Sequence, residues 1–321
     1  MNKIKVKVIA DSISEAGIRL ATMHLRYPRI VHSELMTHRV FSRNARSSRA
    51  VPVATMLKEV MKEPFIPWHW GKNQKGMQAD EECDELVDMS AIHDLPFMDC
   101  LTREEAWLLL RDNAVRGAEA FSKAGYHKQI ANRLIEPFAY IDTLVSSTDW
   151  ANWDALRDHA DAEPHIADLA REMKIERHNS EPEPLKHGEW HLPYVSKQEQ
   201  VDIWLDEFGG NQGNGPEASD NHLRLLVKLS TARCARISYK PFDDNGSIEK
   251  EVERHDMLVG STPLHASPAE HQATPDKIVF NYRDGMDTSD WDSEHLHGNF
   301  RGWKQYRKML PNECTYEGQK I

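Results

Sequence analysis

The segment from residue 37 to residue 50 reads THRVFSRNARSSRA, and it is the stretch of this 321-residue sequence that bears most directly on the fold. It combines histidine, asparagine, serine and arginine side chains in close succession. Several charges cannot be buried together without partners, so the segment is poor core material. Guanidinium, hydroxyl and backbone N–H groups are the donors that hold a phosphate or a pyrophosphate. The segment therefore predicts an anion-binding loop, with a plain exposed basic loop as the alternative.

Strand and helix patterns lie on both sides of the 37–50 segment. Residues 3–9 alternate polar and apolar side chains and predict a strand, which is not the pattern of a signal peptide. Residues 13–24 predict a short helix, and residues 28–34 predict an extended stretch. Because strands and helices do not alternate regularly, we expect an α+β fold in which a mixed or antiparallel sheet packs against helices.

Helix signals dominate from residue 100 onward. Thr102 and Glu105 resemble a capping box that opens a helix over residues 103–123. Pro164 suits the first turn of a helix, and Asp220 suits an N-cap. Further helices are predicted over residues 127–136, 152–157, 164–176, 221–237 and 249–259.

The length supports one large domain or two small ones, and we interpret residues 1–321 as a single catalytic domain without internal repeats. Residues 63–100 show no clear period, so we interpret them as an insertion or lid. Residues 206–219 read DEFGGNQGNGPEAS, which is typical of a flexible linker.

Composition narrows the function classes. The chain has 40 Lys and Arg against 51 Asp and Glu, a net charge of −11, which argues against non-specific nucleic-acid binding. No apolar run reaches the roughly 18 residues that span a membrane. The cysteines are far apart and form no CxxC pair, so we expect a cytoplasmic protein with free thiols. They are Cys83, Cys100, Cys234 and Cys314.

Common catalytic motifs are missing from the sequence. There is no P-loop, no GxSxG elbow and no HExxH pattern, and the glycines of residues 209–215 follow no strand pattern. Histidines do cluster at His265 and His271 and at His295 and His297, but without zinc-ligand spacing. We therefore expect no metal site, and a His-rich metallohydrolase is the alternative that elemental analysis would reveal.

The 37–50 segment resembles the signature of the flavin-dependent thymidylate synthases, RHRxxSxNExSxRY. The matching positions are His38, Arg39, Ser42, Asn44, Ser47 and Arg49. Three positions depart from the signature, with Thr37 in place of Arg, Ala45 in place of Glu and Ala50 in place of Tyr.

Two central segments also resemble that family. Its RxxLP element is similar to Arg133-Leu-Ile-Glu-Pro137. Its NxxxLR and AQxEI elements are similar to residues 152–157 and 162–166, with Glu163 in place of Gln and His165 in place of Glu.

The first elements of the family occur last in this chain. AARVS is similar to residues 235–238, which end at Ser238, and HxSPxEH is similar to the segment from His265 to His271. The order of the segments is therefore rotated, which indicates a circular permutation joined through residues 206–219. Permutation is tolerated where chain ends lie close together at the surface.

The resemblance implies a function. Members of the family bind FAD between the subunits of a homotetramer and transfer a methylene group from methylenetetrahydrofolate to dUMP, giving dTMP. NADPH reduces the flavin, and no cysteine attacks the uracil. By this resemblance dUMP and the folate are the partners of the chain, without nucleic acid or membrane, and Trp68, His69 and Trp70 pack in a core or lid or stack on folate or flavin.

The resemblance also assigns residues. Those implied to bind FAD are His38, Arg39, Asn44, Asn152, Ser238, Ser267 and Glu270. Ser47, Arg49 and Arg133 are implied to hold the dUMP phosphate. Arg157 is implied to lie against the uracil, where a guanidinium stabilises developing negative charge. The implied catalytic residues are Arg157, Ser47 and Arg49.

The departures from the signature leave alternatives open. Thr37 and Ala45 remove a positive and a negative charge, and we hypothesise that Gln305 or Arg307 of the C-terminal segment replaces the lost contacts, with Glu313 nearby. Two other functions remain open: an enzyme that makes another C5-modified pyrimidine deoxynucleotide, such as a hydroxymethyl product, and a catalytically weakened FAD- or nucleotide-binding homologue.

Overall fold

The computed structural model describes residues 4–91, 100–208, 216–237, 246–261, 264–283, 286–311 and 313. These residues form nine α-helices: α1 (His32–Leu35), α2 (Val53–Lys62), α3 (Arg103–Lys123), α4 (Lys128–Ala131), α5 (Ala151–Arg157), α6 (Pro164–Asn179), α7 (Lys197–Phe208), α8 (Pro216–Ala235) and α9 (Ile248–Val259). Short 3-10 helices cover Arg29–Val31, Asn132–Phe138, Ser267–Glu270, Glu294–Leu296 and Tyr306–Met309.

The strands are β1 (Lys5–Ser14), β2 (Arg19–Pro28), β3 (Ser42–Ala45), β4 (Val87–Asp88), β5 (Cys100–Leu101), β6 (Tyr140–Ser147), β7 (Glu183–Leu185), β8 (Ala273–Pro275), β9 (Ile278–Arg283), β10 (Met286–Trp291) and β11 (Trp303–Gln305). The largest sheet has the order β3-β6-β2-β1-β7. All neighbours in it are antiparallel except β1 and β7, which are parallel. The mixed sheet with packed helices confirms the α+β class.

The helix predicted over residues 13–24 is wrong. Those residues form the end of β1, a tight turn with Gly17 at φ +75°, and the start of β2. β2 lies in the middle of the sheet, and Leu20, Ala21 and Met23 are fully buried. A strand that is buried on both faces lacks polar alternation, so its apolar run cannot be distinguished from a helix by period.

Several local predictions from residue 100 onward are confirmed. Thr102 and Glu105 form both halves of the capping box, and α3 covers the predicted residues 103–123. Pro164 lies in the first turn of α6. Helix α9 matches its prediction within one residue.

Other predicted boundaries need correction. Residues 28–34 are not extended, since a 3-10 turn and α1 follow β2 directly. Residues 127–136 hold only the four-residue α4 and then a 3-10 helix, in which Pro137 lacks the N–H of a regular helix. α8 begins at Pro216 rather than after Asp220, and α7 extends to Phe208, so residues 206–208 and 216–219 of the predicted linker are helical. Its residues 209–215 lie outside the described chain.

The two faces of the large sheet differ in chemistry. One face is apolar and packs on α5 and α6 in a core that contains Met23, Leu25, Tyr27, Trp153 and Ile166. The other face carries polar side chains, because Thr22 and Ser42 both lie opposite Ser146 in the strand register. Residues of α8, β11 and the 3-10 helix Ser267–Glu270 contact this polar face. The sheet is therefore the middle layer of the described chain.

The 63–91 stretch packs against the helices. Phe65 is fully buried, and its carbonyl accepts a hydrogen bond of 2.7 Å from the Trp107 indole of α3. The Trp68 indole donates to Asp168 of α6 at 2.9 Å. No helix within the described ranges is long and apolar enough to cross a bilayer.

Candidate functional site

The 37–50 segment leaves α1, turns, and enters the edge strand β3. Arg43 fixes this turn, because one terminal nitrogen of its guanidinium donates to the carbonyls of Leu35, Met36 and His38 at 3.3, 2.8 and 3.2 Å. Arg46 forms a two-bond ion pair with Glu59, both bonds being 2.9 Å long. These two arginines are therefore committed to the structure of the loop.

A first cluster, which we name the Arg157 group, consists of His38, Asn152, Arg157, Glu34 and Thr37. Arg157 Nε donates to His38 Nε2 at 3.1 Å, which joins residues 119 positions apart in sequence. Burial lowers the pKa of His38, the charges of Arg157 and Arg43 lower it further, and a hydrogen bond with Asn152 acts in the opposite direction. Because an arginine N–H can only donate, His38 Nε2 is the acceptor in its bond with Arg157.

Glu34 was not identified from the sequence. Its Oε2 accepts from Arg157 Nη1 at 2.8 Å, while Thr37 Oγ1 accepts from Arg157 Nη2 at 3.2 Å. Burial raises the pKa of Glu34, the charge of Arg157 opposes this effect, and Glu163 adds to it. A carboxylate thus lies beside the guanidinium of Arg157. In sequence, Glu34 precedes Thr37, the position at which the family signature has an arginine, by three residues.

The His38 ring is held by aromatic neighbours. It lies edge-on to Trp153, with the ring centroids 4.8 Å apart, and it stacks on Phe41 at 5.8 Å. Trp153 belongs to the apolar core under the sheet. The position of His38 therefore depends on the packing of α5.

A second cluster, the Glu136 group, joins the end of the 37–50 segment to residues 132–136. Ser48 Oγ donates to Glu136 Oε1 at 2.6 Å, and Arg133 Nη1 donates to Glu136 Oε2 at 3.3 Å. Asn132 Nδ2 donates to the carbonyls of Ser48 and Val51 at 2.7 and 2.9 Å. The Ser47–Arg49 turn and Arg133 are thus neighbours, as the phosphate assignment requires.

Two predicted arginines remain available to ligands. Arg39 and Arg49 are exposed, and neither forms an ion pair with a described acidic residue. Ser47 Oγ accepts from the backbone N–H of Arg49 at 3.3 Å and is only partly covered. These groups can hold an anion that reaches the surface of the chain.

A third cluster, the Asn44 group, lies on the polar face of the sheet. Asn44 Nδ2 donates to the Cys234 carbonyl at 2.8 Å, and Ser267 Oγ donates to Asn44 Oδ1 at 3.5 Å across 223 positions of sequence. Burial raises the pKa of Glu270, and its ion pair with Arg307 opposes that effect. Ser238, which the resemblance assigns to the cofactor, lies outside the described residues.

The C-terminal segment contacts this third cluster. Gln305 Nε2 donates to Ser42 Oγ at 3.0 Å and to the Glu270 carbonyl at 2.9 Å. Arg307 pairs with Glu270 and, through Nε, with Glu313 at 3.0 Å. The segment around Gln305 therefore lies beside the 37–50 segment, while its ligand contacts remain a hypothesis.

The three clusters share the 37–50 segment but stay separate in one chain. No hydrogen bond or ion pair between described residues joins the Arg157 group to Ser47, Arg49 or Arg133. Within the described chain, no set of three or more His, Cys, Asp and Glu residues is arranged to hold a metal ion.

A cleft of about 640 Å³ opens at the end of the polar face, where His24, Tyr194 and Arg236 contribute to its walls. Arg26 and Arg46 line both this cleft and an adjoining one of about 220 Å³. The two arginines pair with Glu63 and Glu59 at 3.0 and 2.9 Å. The walls therefore combine both charge signs, as suits a polar ligand.

No protein-family model matches this sequence, and no curated protein matches it significantly. The family resemblance therefore depends on the matched segments and on their arrangement in space.

Proposed function

We propose that this chain is a flavin-dependent thymidylate synthase, which uses FAD, NADPH and methylenetetrahydrofolate to convert dUMP to dTMP. One observation carries the proposal: the 37–50 segment contacts each of the three other segments that resemble the family elements. His38 bonds to Arg157, Ser48 bonds to Glu136, and Asn44 bonds to Ser267, over 119, 88 and 223 positions of sequence. A chance motif match does not require distant segments to meet.

The residues present fit FAD. Its pyrophosphate needs cationic and hydroxyl donors, and Arg39 is exposed without an acidic partner in the described chain. The imidazole of His38 and the amides of Asn44 and Asn152 suit the polar edge of a flavin ring, and Ser267 and Glu270 adjoin Asn44 on the polar face. When bound, the flavin supplies the hydride that completes the methyl group.

The nucleotide has a separate set of candidate contacts. Ser47, Arg49 and Arg133 would hold the phosphate, and Arg157 would face the pyrimidine. Arg157 directs three of its five N–H donors to Glu34, His38 and Thr37. One N–H on each terminal nitrogen remains, and these would stabilise negative charge on the pyrimidine as C5 accepts the one-carbon unit.

The separation of the clusters supports a site shared between subunits. Arg39 and Arg49 are exposed, and so are the apolar side chains of Met36, Val40 and Leu156 beside the Arg157 group. An apolar rim next to unpaired cations is typical of a surface that is covered by a partner. A homotetramer would bring the phosphate-binding turn of one chain to the Arg157 group of another.

A second candidate is an enzyme that makes a different C5-modified pyrimidine deoxynucleotide. The Glu34 carboxylate favours it, because it adds a hydrogen-bond acceptor beside the pyrimidine-facing guanidinium. The mass of the nucleotide product separates the two candidates. Turnover with FAD, NADPH, methylenetetrahydrofolate and dUMP adds one CH₂ in the first case and one CH₂O for a hydroxymethyl product. Binding of FAD and dUMP without any product would instead support the hypothesis that the chain is a catalytically weakened homologue that binds FAD or a nucleotide.

The Arg307→Ala variant tests the hypothesis about the C-terminal segment. We expect it to weaken dUMP or FAD binding by about tenfold, because Glu270 loses its charged partner. Arg301→Ala, an exposed arginine of the same region, is the matched control. Unchanged affinities for both ligands in Arg307→Ala would refute the hypothesis without affecting the proposed reaction.

A further inference from the structure

A cavity of about 540 Å³ lies outside the three clusters. Its walls come from the 63–91 stretch, from α3 and from the start of α6, and they include Trp70, Trp107, Glu163 and His165. The volume is in the range of small-molecule sites. Apolar side chains such as Pro67 and Leu110 make up much of the remaining surface.

The aromatic walls favour a flat ligand. The rings of Trp70 and Trp107 are nearly perpendicular, at 86°, with centroids 5.9 Å apart. The Trp107 indole is fixed by its hydrogen bond to the Phe65 carbonyl. A planar ring can therefore stack on one tryptophan and meet the other edge-on, which are the two favourable aromatic geometries.

A fixed carboxylate lies on the same wall. The backbone N–H of Trp68 donates to His165 Nε2 at 3.3 Å, so the His165 proton is on Nδ1 and donates to Glu163 Oε1 at 2.5 Å. The backbone N–H of Ile166 donates to Glu163 Oε2 at 2.9 Å. Two protein donors thus orient Glu163, which is about one-third exposed and keeps free lone pairs on both oxygens.

Arg103, the one arginine among the described residues of the lining, is already committed. Arg103 donates to the Cys83 carbonyl at 2.6 Å and pairs with Asp84 at 2.8 Å and Glu104 at 3.1 Å. Glu85 adds a second carboxylate to the wall. The cavity therefore presents acceptors and aromatic faces rather than free cations, which disfavours anions.

We infer that this cavity binds a flat nitrogen heterocycle whose edge carries adjacent N–H donors, as the 2-amino-4-oxo edge of guanine and of pterins does. The ring stacks on one of the two indoles, Trp70 or Trp107, and meets the other edge-on, while its N–H donors face Glu163. The inference requires neither FAD nor dUMP.

Calorimetric titration of the full chain, without FAD or nucleotide, tests this site. The probes are guanosine, 6-hydroxymethylpterin, and inosine, which lacks the 2-amino group. We expect guanosine or the pterin to bind at least tenfold more tightly than inosine, since an unpaired buried acceptor penalises the analogue. The tighter of the two ligands identifies the source of the heterocycle. Equal binding of all three probes, or no saturable binding of any of them, would overturn the inference.

Variants separate recognition from folding. Glu163→Gln keeps the N-cap acceptor and removes the charge, and we expect about a tenfold loss of affinity, whereas Glu172→Gln on the same helix changes nothing. Trp70→Leu should also weaken binding, and it tests the site independently if Glu163→Gln fails to fold. Folded variants at residues 163 and 70 with unchanged affinity would contradict the assignment.

Discussion

The same strands form both faces of the large sheet, but the side chains on the two faces are buried by different kinds of interaction. On the apolar face, Met23, Leu25 and Val145 are fully buried against α5 and α6. On the polar face, Thr22 and Ser146 are equally buried but are covered by histidines and by the C-terminal segment. The apolar face is stabilised by the burial of apolar surface, whereas burial of the polar face is favourable only where its polar side chains find hydrogen-bond partners.

One continuous chain of hydrogen bonds runs across the polar face. His191 bonds to Thr22 at 2.8 Å, Thr22 to Ser146 at 2.6 Å, and Ser146 to His271 at 2.8 Å. Partners of this kind tolerate little displacement, so they fix which residues of the C-terminal segment meet the sheet. The comparison indicates that the apolar face supplies stability, while the polar face sets the alignment of the matched segments.

The largest expected effect comes from the apolar face. Trp153→Ala removes a buried indole that contacts both Phe41 and His38, so we expect a loss of about 3–5 kcal/mol in the free energy of unfolding. Urea denaturation measures it. The exposed Leu205→Ala on α7 is the control, with a change within about 0.5 kcal/mol. Similar losses in both variants would contradict the role of this face.

On the polar face, Thr22→Val tests the hydrogen-bond chain with almost no change of shape. His191 Nε2 and Ser146 lose a partner inside the protein, so we expect a loss of about 1–3 kcal/mol in the free energy of unfolding. The exposed Thr55→Val on α2 serves as the control and should be nearly neutral. A neutral Thr22→Val would show that the chain of bonds contributes no stability.

Acidification should weaken the polar face. Burial lowers the pKa of both His191 and His271 to about 3. The unfolded chain protonates these imidazoles near pH 6.5, but the folded chain does not. Stability is therefore retained above pH 6.5 and falls between pH 6.5 and about 3, by at most about 1.4 kcal/mol per pH unit for each histidine.

Unfolding titrations at several pH values, compared with a His191→Gln variant, measure this dependence. The variant should show a shallower slope, since one buried imidazole is absent. An equal slope in both proteins would mean that other groups dominate the acid response.

Local signals made part of the fold predictable. The Thr102–Glu105 capping box and Pro164 act within one helical turn, so the sequence placed α3 and α6 correctly. β2 could not be recognised in the same way, because its burial on both faces depends on strands and helices far along the chain.

In the candidate site, too, the sequence indicated some residues and missed others. The motif match indicated His38, Asn152 and Arg157, which do meet. Glu34 and Glu136 were missed, because a carboxylate on a short helix carries no signal until its partner, 123 or 88 positions away, is known.

The smallest expected effect on stability comes from the site itself. Arg157→Lys removes the fork that contacts Glu34, His38 and Thr37 but keeps the charge, so we expect the free energy of unfolding to change by less than about 1 kcal/mol. Its nucleotide affinity should nevertheless fall about tenfold or more. Arg171→Lys on α6, an exposed arginine, is the matched control for both quantities. A stability loss as large as that of Trp153→Ala would make Arg157 a structural residue.

The most direct test of the central claim is a visible-absorbance titration of the purified protein with FAD, followed by dUMP. The account predicts a bound-flavin spectrum that shifts when dUMP is added, and a much weaker shift in Arg157→Lys than in Arg171→Lys. A folded, oligomeric protein that binds no flavin would contradict the claim that the converging segments form a flavin and nucleotide site.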